Sequence, residues 1–125
     1  MTKKKKNYTS KEITQLIIEG IREKKGKEIL TINFKDIDNA ISDYFVVCHG
    51  TSTTHVEAIA ENIPEFVRKK SGIKPWHSEG QQNAEWILLD YIDVVVHIFL
   101  ETSRRFYKIE NLWADAQVEH FKDEE

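Results

Sequence analysis

The sequence predicts an α/β (α+β) fold in which one mixed β-sheet is flanked by helices. Segments with helical spacing of apolar residues alternate with segments rich in β-branched and aromatic residues, in the order α-β-β-α-β-β-α. The chain has 125 residues, a length that buries one core without disulfides or metals. Hydrophobic residues make up 40% of it, which is typical of an ordinary globular domain.

The first helix and the first strand each have a clear pattern. Thr9 and Glu12 have the spacing of a capping box, which predicts that a helix begins after Thr9. The apolar residues that follow at helical spacing are Ile13, Leu16, Ile17 and Ile21. Gly26, which comes after a run of cations, predicts the end of this helix. Residues 28–35 then alternate between two faces, as a strand does.

A second strand and a second helix follow a turn-rich link. Residues 44–48 are almost all β-branched or aromatic, which predicts a strand covered on both faces. Residues 53–70 carry an apolar face opposite a charged face, so we expect a helix there. Pro64 lies inside this segment, and we expect it to kink or break the helix.

The remaining elements are a hairpin and a short helix. Residues 71–85 predict a polar loop, because they are rich in turn-forming and charged side chains. Residues 86–91 and 94–100 predict two strands, joined by a tight turn at residues 90–93. Apolar side chains at helical spacing in residues 102–113 predict a short final helix.

We place these elements in a single domain at residues 8–117. Residues 1–7 form a basic tail, and residues 118–125 form an acidic tail that we expect to be frayed. The basic tail contains the lysines Lys3, Lys4, Lys5 and Lys6. A solvated tail is the simplest interpretation of this run, and a minor contact with RNA is the alternative.

Composition limits the compartment and the partners. Cys48 is the one cysteine, so no disulfide forms within the chain, and a reducing, cytoplasmic location is expected. No apolar run is long enough to span a bilayer, so we expect no membrane partner. The formal net charge of −3 gives no overall basic field that draws the chain to nucleic acid.

The turn between the second strand and the second helix allows two interpretations. In the first, Gly50 turns the chain and the hydroxyl of Ser52 or Thr53 caps the helix. In the second, the turn from Gly50 to His55 binds the phosphate of a nucleotide at the helix start, as in a nucleotide-binding transferase. The phosphate-loop pattern G-x-x-x-x-G-K-[ST] is absent, which favours the structural interpretation.

Other chemistry has little support in the sequence. Ser52 and His55 are three residues apart but lack the G-x-S-x-G elbow of a serine nucleophile. Asp90 and Asp93 are three apart across a predicted turn, whereas metal-binding pairs on a strand lie two apart. The histidines show no zinc-ligand spacing. We therefore expect no catalytic residue, no metal and no cofactor.

Charged and aromatic side chains in the last third raise the possibility of binding. Arg104 and Arg105 suggest a phosphate contact, although a pair of solvated charges is the better interpretation. Trp86 and Tyr91 belong to the residue types that dominate protein–protein hot spots. Composition alone favours burial of Trp86 in the core.

Three segments, in this order and at this spacing, resemble one known family. They read DYFVVCHGTSTTHVEAIAENI, EGQQNAEWILLDYIDVVVHIF and RRFYKIENLWADA. The most distinctive block is W-x-x-x-D-x-x-D-V-x-V-H, from Trp86 to His97. The resemblance covers about residues 10–117 and is to the ribosomal silencing factor family, also called Iojap-like.

The resemblance implies a fold and a function. The fold is similar to that of nucleotidyltransferases without their catalytic carboxylates. The family binds the large ribosomal subunit through the fourteenth large-subunit protein, blocks association with the small subunit and so represses translation. Its members are not enzymes, and they tend to form homodimers.

The resemblance also implies a binding site. The partner-binding positions of the family match Trp86, Asp90, Tyr91 and Asp93. One position departs from the family pattern, because Ile92 stands where the family usually has glycine. Glycine adopts a positive φ at little cost and isoleucine does not, so this departure affects the geometry of the turn.

Overall fold

The computed structural model describes residues 7–124. It confirms the predicted fold class, with one mixed sheet and flanking helices. The elements, in chain order, are α1 (Ser10–Glu23), β1 (Lys27–Asn33), β2 (Tyr44–Gly50), α2 (Thr53–Ser71), β3 (His77–Glu79), β4 (Trp86–Asp90), β5 (Val94–Leu100), α3 (Glu101–Tyr107), a 3-10 turn (Ile109–Asn111) and β6 (Gln117–His120). None of the described helices is long and apolar enough to cross a membrane.

The six strands lie in the order β3-β4-β5-β2-β1-β6. The central pair, β2 and β5, is parallel, and every other neighbouring pair is antiparallel. All seven residues of β2 are buried, as expected for a strand covered on both faces. β4 and β5 form the predicted hairpin, with Trp86 opposite Phe99 and Asp90 opposite Val95.

The two faces of the sheet differ in how they are covered. Helices α1 and α2 pack on one face, over a core that includes Ile17, Ile59 and Val96. The opposite face carries a smaller core that includes Phe45 and Phe99, with Trp86, Leu88 and Trp113 packed at its margin. We call this second face the open face, because no long helix covers it.

Two short strands lie in segments where we expected loop or tail. β3 falls within the predicted loop 71–85 and pairs with β4 at the sheet edge. β6 pairs with β1, so the expectation that residues 118–125 form a frayed tail is wrong for residues 118–120. All residues of both strands are exposed, so neither strand has the alternating pattern by which a strand is predicted.

Two predicted helices also differ in extent. The final helix ends at Tyr107, because Lys108 adopts a left-handed conformation with φ +48°, and a 3-10 turn follows. The expected helix at residues 102–113 is therefore two short pieces. Pro64 lies within α2 without ending it, and α2 runs from Thr53 to Ser71. The lysines Lys3, Lys4, Lys5 and Lys6 lie outside the described residues.

Candidate docking surface

Alternation along β4 places Trp86 on the open face. Ile87 and Leu89 are buried against the helices, whereas Trp86 and Leu88 pack at the margin of the opposite core. Both of these open-face residues are only partly buried. The strand period of two residues therefore presents an indole ring and a leucine side chain on one surface.

Aromatic rings surround Trp86. Its ring centroid lies 4.8 Å from that of Phe99, which is fully buried below it, and 4.9 Å from that of Tyr107 at the end of α3. Phe106 packs edge-on against Tyr107 and is 78% exposed. We name the surface formed by Trp86, Leu88, Phe106 and Tyr107 the aromatic face. Aromatic side chains in this partly exposed state are common at protein–protein interfaces.

A shallow depression lies beside Trp86, and one of its lining residues is a glycine that packs closely against β4. The depression has a volume of about 270 Å³ and is lined by Glu79, Gly80, Trp86 and Leu88. Gly80 has φ +94°, and a Cβ there would overlap the carbonyl oxygen of Trp86. The sequence around Gly80 gives no sign of this close approach, because a glycine in a polar loop is usually a turn residue.

A buried histidine holds the polar end of Trp86. The indole Nε1–H of Trp86 donates a hydrogen bond of 3.0 Å to Nδ1 of His97 on β5. His97 is 5% exposed, and burial lowers its pKa to about 4. The ring is therefore neutral at physiological pH, as an acceptor must be. Strand alternation places both residues on one face of the sheet. His97 lies two residues from Phe99 on β5, and Phe99 is opposite Trp86.

The turn after β4 is tightly bonded. The carboxylate of Asp90 accepts a 2.7 Å hydrogen bond from the backbone N–H of Ile92. The N–H of Asp93 donates to the carbonyl of Tyr91 at 2.9 Å, across Ile92 at φ +74°. A hydrogen bond over three residues with this φ is the pattern of a γ-turn, which is strained for a residue with a side chain. Ile92 is 59% exposed at the tip.

The structure separates the four residues that the resemblance implied for partner binding. Tyr91 is 6% exposed and belongs to the core beneath the helices, on the other side of the sheet from Trp86. Its hydroxyl is buried and has no hydrogen-bond partner within residues 7–124, and burial raises the pKa of Tyr91. Asp90 is partly buried and Asp93 is exposed, both at the turn. Trp86 lies at the far end of β4 from all three.

The turn from Gly50 to His55 is filled by its own side chains. Ser52 is the N-cap of α2, and its hydroxyl accepts from the N–H of His55. The ring of His55 accepts from the N–H of Thr51 at 3.0 Å and contacts the carbonyl of Lys24 at 2.7 Å. Thr53 is the first residue of the helix. This geometry favours the structural interpretation of the turn over a phosphate site.

Close packing also restricts Gly50. A Cβ on Gly50 would lie 2.9 Å from the backbone nitrogen of Val56, so the strand and the helix start touch there. Among the described residues, no group of three or more His, Cys, Asp or Glu side chains is placed to hold a metal ion.

The two arginines are not a pair of solvated charges. Arg104 is 3% exposed and contacts Nδ1 of His49 at 2.9 Å and the carbonyl of Lys27 at 3.3 Å. Arg105 forms two hydrogen bonds with the carboxylate of Glu28 and lies 3.2 Å from Glu101. The prediction was wrong for Arg104, because the amino acid type gave no sign that the fold would bury it.

These features indicate a class of protein. An α+β domain presents a half-buried tryptophan among aromatic rings, on a sheet face that the helices leave open. Partly exposed aromatic side chains are enriched at protein–protein interfaces, so this surface is a candidate for protein docking.

Comparison with known proteins gives the family. A family model described as "Ribosomal silencing factor during starvation" matches residues 7–125. A ribosomal silencing factor of Halalkalibacterium halodurans is 38% identical over 108 residues, covering 86% of this chain and 91% of that protein. The chain belongs to the ribosomal silencing factor family, and the resemblance seen in the sequence is confirmed.

A solved structure and a distant relative agree. A crystal structure of a protein from Chromobacterium violaceum superposes with a TM-score of 0.79 and 34% identity, covering 85% of this chain and 87% of that one. A mouse protein named "Mitochondrial assembly of ribosomal large subunit protein 1" is 27% identical over 100 residues, covering 78% of this chain and 43% of that protein.

Proposed function

We propose that this protein binds the large ribosomal subunit through the aromatic face, contacts the fourteenth large-subunit protein there and blocks joining of the small subunit. Membership of the ribosomal silencing factor family supports the ribosome as target. The name of the mouse relative supports the large subunit. The compartment that follows is the cytoplasm, and the consequence is repression of translation.

The single observation that carries the proposal is the state of Trp86. Its ring is packed against Phe99 on the neighbouring strand and against Tyr107 of α3, and it remains partly exposed on the open face. A rigid aromatic ring of this kind serves as an anchor for a partner at small cost in conformational entropy. A factor that blocks subunit joining needs such an anchor and an interface of standard size, and it needs no chemical step.

Burial changes the role of Tyr91 in this proposal. Since the side chain lies under α1 and α2, we assign it the support of the turn rather than direct contact. Asp90 then fixes the turn through the N–H of Ile92, and Asp93 remains exposed for a basic partner. We also propose that the free chain is a homodimer, as the resemblance implies. Light scattering coupled to size exclusion measures this directly.

Binding is tested with two tryptophan variants. Trp86→Ala is expected to weaken cosedimentation with purified large subunits at least about tenfold, as loss of a hot spot does. Trp76→Ala is the matched control: Trp76 is also an exposed tryptophan, but it precedes β3 and is absent from the aromatic face. Tyr107→Ala tests the same surface with a residue outside the sheet. Equal binding by all three variants and the wild type would overturn the proposed surface.

The effect on ribosomes needs its own measurement. Light scattering of mixed subunits is expected to show impaired joining as the wild-type protein is added, and unimpaired joining with Trp86→Ala. Thermal unfolding of each variant shows whether a substitution changes subunit joining only because it unfolds the protein. Normal joining at saturating wild-type protein would contradict the proposed function.

A further inference from the structure

We propose that His97 is a positioning residue for docking, which holds the Trp86 indole ring in the orientation that meets the partner. The inference rests on the proposed function, because it assigns the docking tryptophan its orientation. It concerns one contact, the 3.0 Å hydrogen bond from Trp86 Nε1–H to His97 Nδ1.

The Trp86 ring is restrained by tilted ring contacts and by one polar contact. Phe99, its partner across the strand pair, lies at 4.8 Å with the ring planes 31° apart, and Tyr107 lies at 4.9 Å with the planes 46° apart. These apolar contacts pack the ring against the surface but do not select where its N–H points. The hydrogen bond to His97 is directional and fixes where the indole N–H points.

His97 is itself held rigidly. Its strand, β5, is paired on both sides, with Leu88 of β4 and Val47 of β2 opposite His97. The ring of Phe45 lies 4.5 Å from the imidazole, and Phe99 stacks at 6.3 Å with a 14° angle. The imidazole therefore presents its acceptor from a central strand that is paired on both sides. A rigid acceptor of this kind preorganises the tryptophan before the partner arrives.

A purely structural role does not explain a histidine at this position. Because Nδ1 accepts from Trp86, the proton of the neutral ring is on Nε2. That nitrogen is buried and has no hydrogen-bond partner in the described part of the chain. A buried donor without a partner destabilises the folded state. A leucine would fill similar space among Phe45 and Phe99 without this penalty, so stability alone favours an apolar residue here.

Two substitutions separate positioning from packing. His97→Leu preserves the apolar contacts and removes the acceptor. His97→Asn preserves an acceptor at the same distance from the backbone, because Oδ1 of asparagine takes the place of Nδ1, and it loses packing. We expect His97→Leu to unfold at or above the wild-type temperature and His97→Asn below it. Ile32→Val, in the same core and fully buried, is the control for loss of packing alone.

Binding is expected to follow the acceptor rather than the stability. His97→Leu should bind large subunits about three- to tenfold more weakly than the wild type, the equivalent of one lost hydrogen bond. His97→Asn and Ile32→Val should bind within about twofold of the wild type, which is well under the loss of a hydrogen bond. If affinity ranks with unfolding temperature across the variants, His97 acts through packing and the proposal is overturned.

A spectroscopic signature tests the contact without ribosomes. The indole N–H resonance of Trp86, assigned by its loss in Trp86→Phe, is expected downfield and slow to exchange in the wild type and in His97→Asn. In His97→Leu it should move upfield and exchange faster. An unchanged resonance would overturn the proposal even if the protein binds ribosomes. Wild-type protein that shows the signature without binding large subunits would instead count against the proposed function alone.

Discussion

Ile92 occupies a backbone conformation that suits glycine, at the tip of the β4–β5 hairpin. Its φ of +74° lies in the left-handed region, and its side chain is mostly exposed, so little packing offsets the strain. A β-branched side chain at positive φ is a strained arrangement. The hydrogen bonds to Asp90 and between Asp93 and Tyr91 hold the turn in this state.

Replacing Ile92 with glycine is expected to stabilise the folded state by about 1 kcal/mol, the strain relieved less the extra entropy of glycine in the unfolded chain. Urea denaturation of the two proteins measures the difference. Gly72→Ala is the reverse control, since Gly72 has φ +78° and open space around it, and should destabilise by a similar amount. A loss of stability in Ile92→Gly would show that the turn is not strained.

His97 gives the stability of the protein a pH dependence. Burial holds its pKa at about 4 in the folded state, against 6.5 ordinarily. Between these pH values the unfolded chain binds a proton that the folded chain does not. The contribution of His97 to the free energy of unfolding is therefore fully present above about pH 6.5 and is lost as the pH drops towards 4.

The contribution of His97 to this loss is about 3 kcal/mol, from the difference in pKa. Urea midpoints of the wild type and His97→Leu at a series of pH values between 7 and 4 are expected to diverge as the pH falls, because the wild type loses the His97 contribution whereas the variant has a flatter profile. His49 and the carboxylates titrate in both proteins, so the difference isolates His97.

The short helix α3 is tied to the sheet mainly by Arg104. This side chain joins His49 on β2, the carbonyl of Lys27 and, at 3.7 Å, the carboxylate of Glu110. Burial, with the charge of Arg104 second, lowers the pKa of His49, which keeps that ring neutral and able to accept. Since α3 carries Phe106 and Tyr107, this buried contact also places half of the aromatic face.

Arg104→Ala is expected to destabilise the fold by about 3–5 kcal/mol, because it leaves buried polar groups without their charged partner. The adjacent Arg105→Ala removes an exposed ion pair with Glu28 and should cost under about 1 kcal/mol. Guanidinium denaturation compares the two. Similar losses in both variants would contradict a buried role for Arg104.

The last strand, β6, covers the edge of β1. Its side chains are exposed, but its backbone pairs with β1, and Phe121 just after it packs against the helix-side core. Backbone hydrogen bonds therefore hold β6, and the Phe121 ring and a 2.7 Å hydrogen bond from the N–H of Glu28 to the carboxylate of Asp123 hold the residues after it. This explains why the side chains of β6 alone predicted a tail.

Ending the chain after Ala116 is expected to cost about 2 kcal/mol through the lost ring contact, and to leave the edge of β1 unpaired. Thermal unfolding and dynamic light scattering should show a lower transition and association through the open edge. Val118→Lys keeps the backbone ladder and serves as the control. An unchanged transition in the truncated chain would mean that β6 does not contribute to the fold.

At the scale of the molecule, helices cover one side of the sheet and leave the other side partly exposed. Helices α1 and α2 enclose the larger core, while α3 and the 3-10 turn cover only part of the smaller one. The aromatic face lies in the uncovered part, on the β3–β4–β5 side. The asymmetry leaves a partly exposed aromatic surface, which is the one we propose for docking.

The net charge of −3 predicts how docking responds to salt. For a basic ribosomal protein as partner, the association rate should fall moderately as salt rises from about 50 to 300 mM, while dissociation changes little. Surface plasmon resonance on immobilised large subunits measures both rates. A steep fall in affinity of many-fold per doubling of salt would indicate contacts with RNA phosphates instead.

The sequence by itself determined the fold class, the main strands and helices and the family, because these depend on periodicity and on residues close together in the chain. The capping box at Thr9 and the buried strand β2 are examples. The edge strands β3 and β6 were not predicted, because their side chains are exposed on both faces and their backbones pair with strands elsewhere in the chain.

Only the tertiary structure decided which side chains reach the surface. Trp86 and Tyr91 belong to the same class of interface-enriched residues, yet they are five positions apart along an extended segment, so they lie on opposite sides of the sheet. The burial of Arg104 and the pairing of Trp86 with His97 depend on contacts between elements far apart in the chain. Local sequence patterns determine which secondary structure each segment forms, and only packing between segments determines which residues its side chains contact.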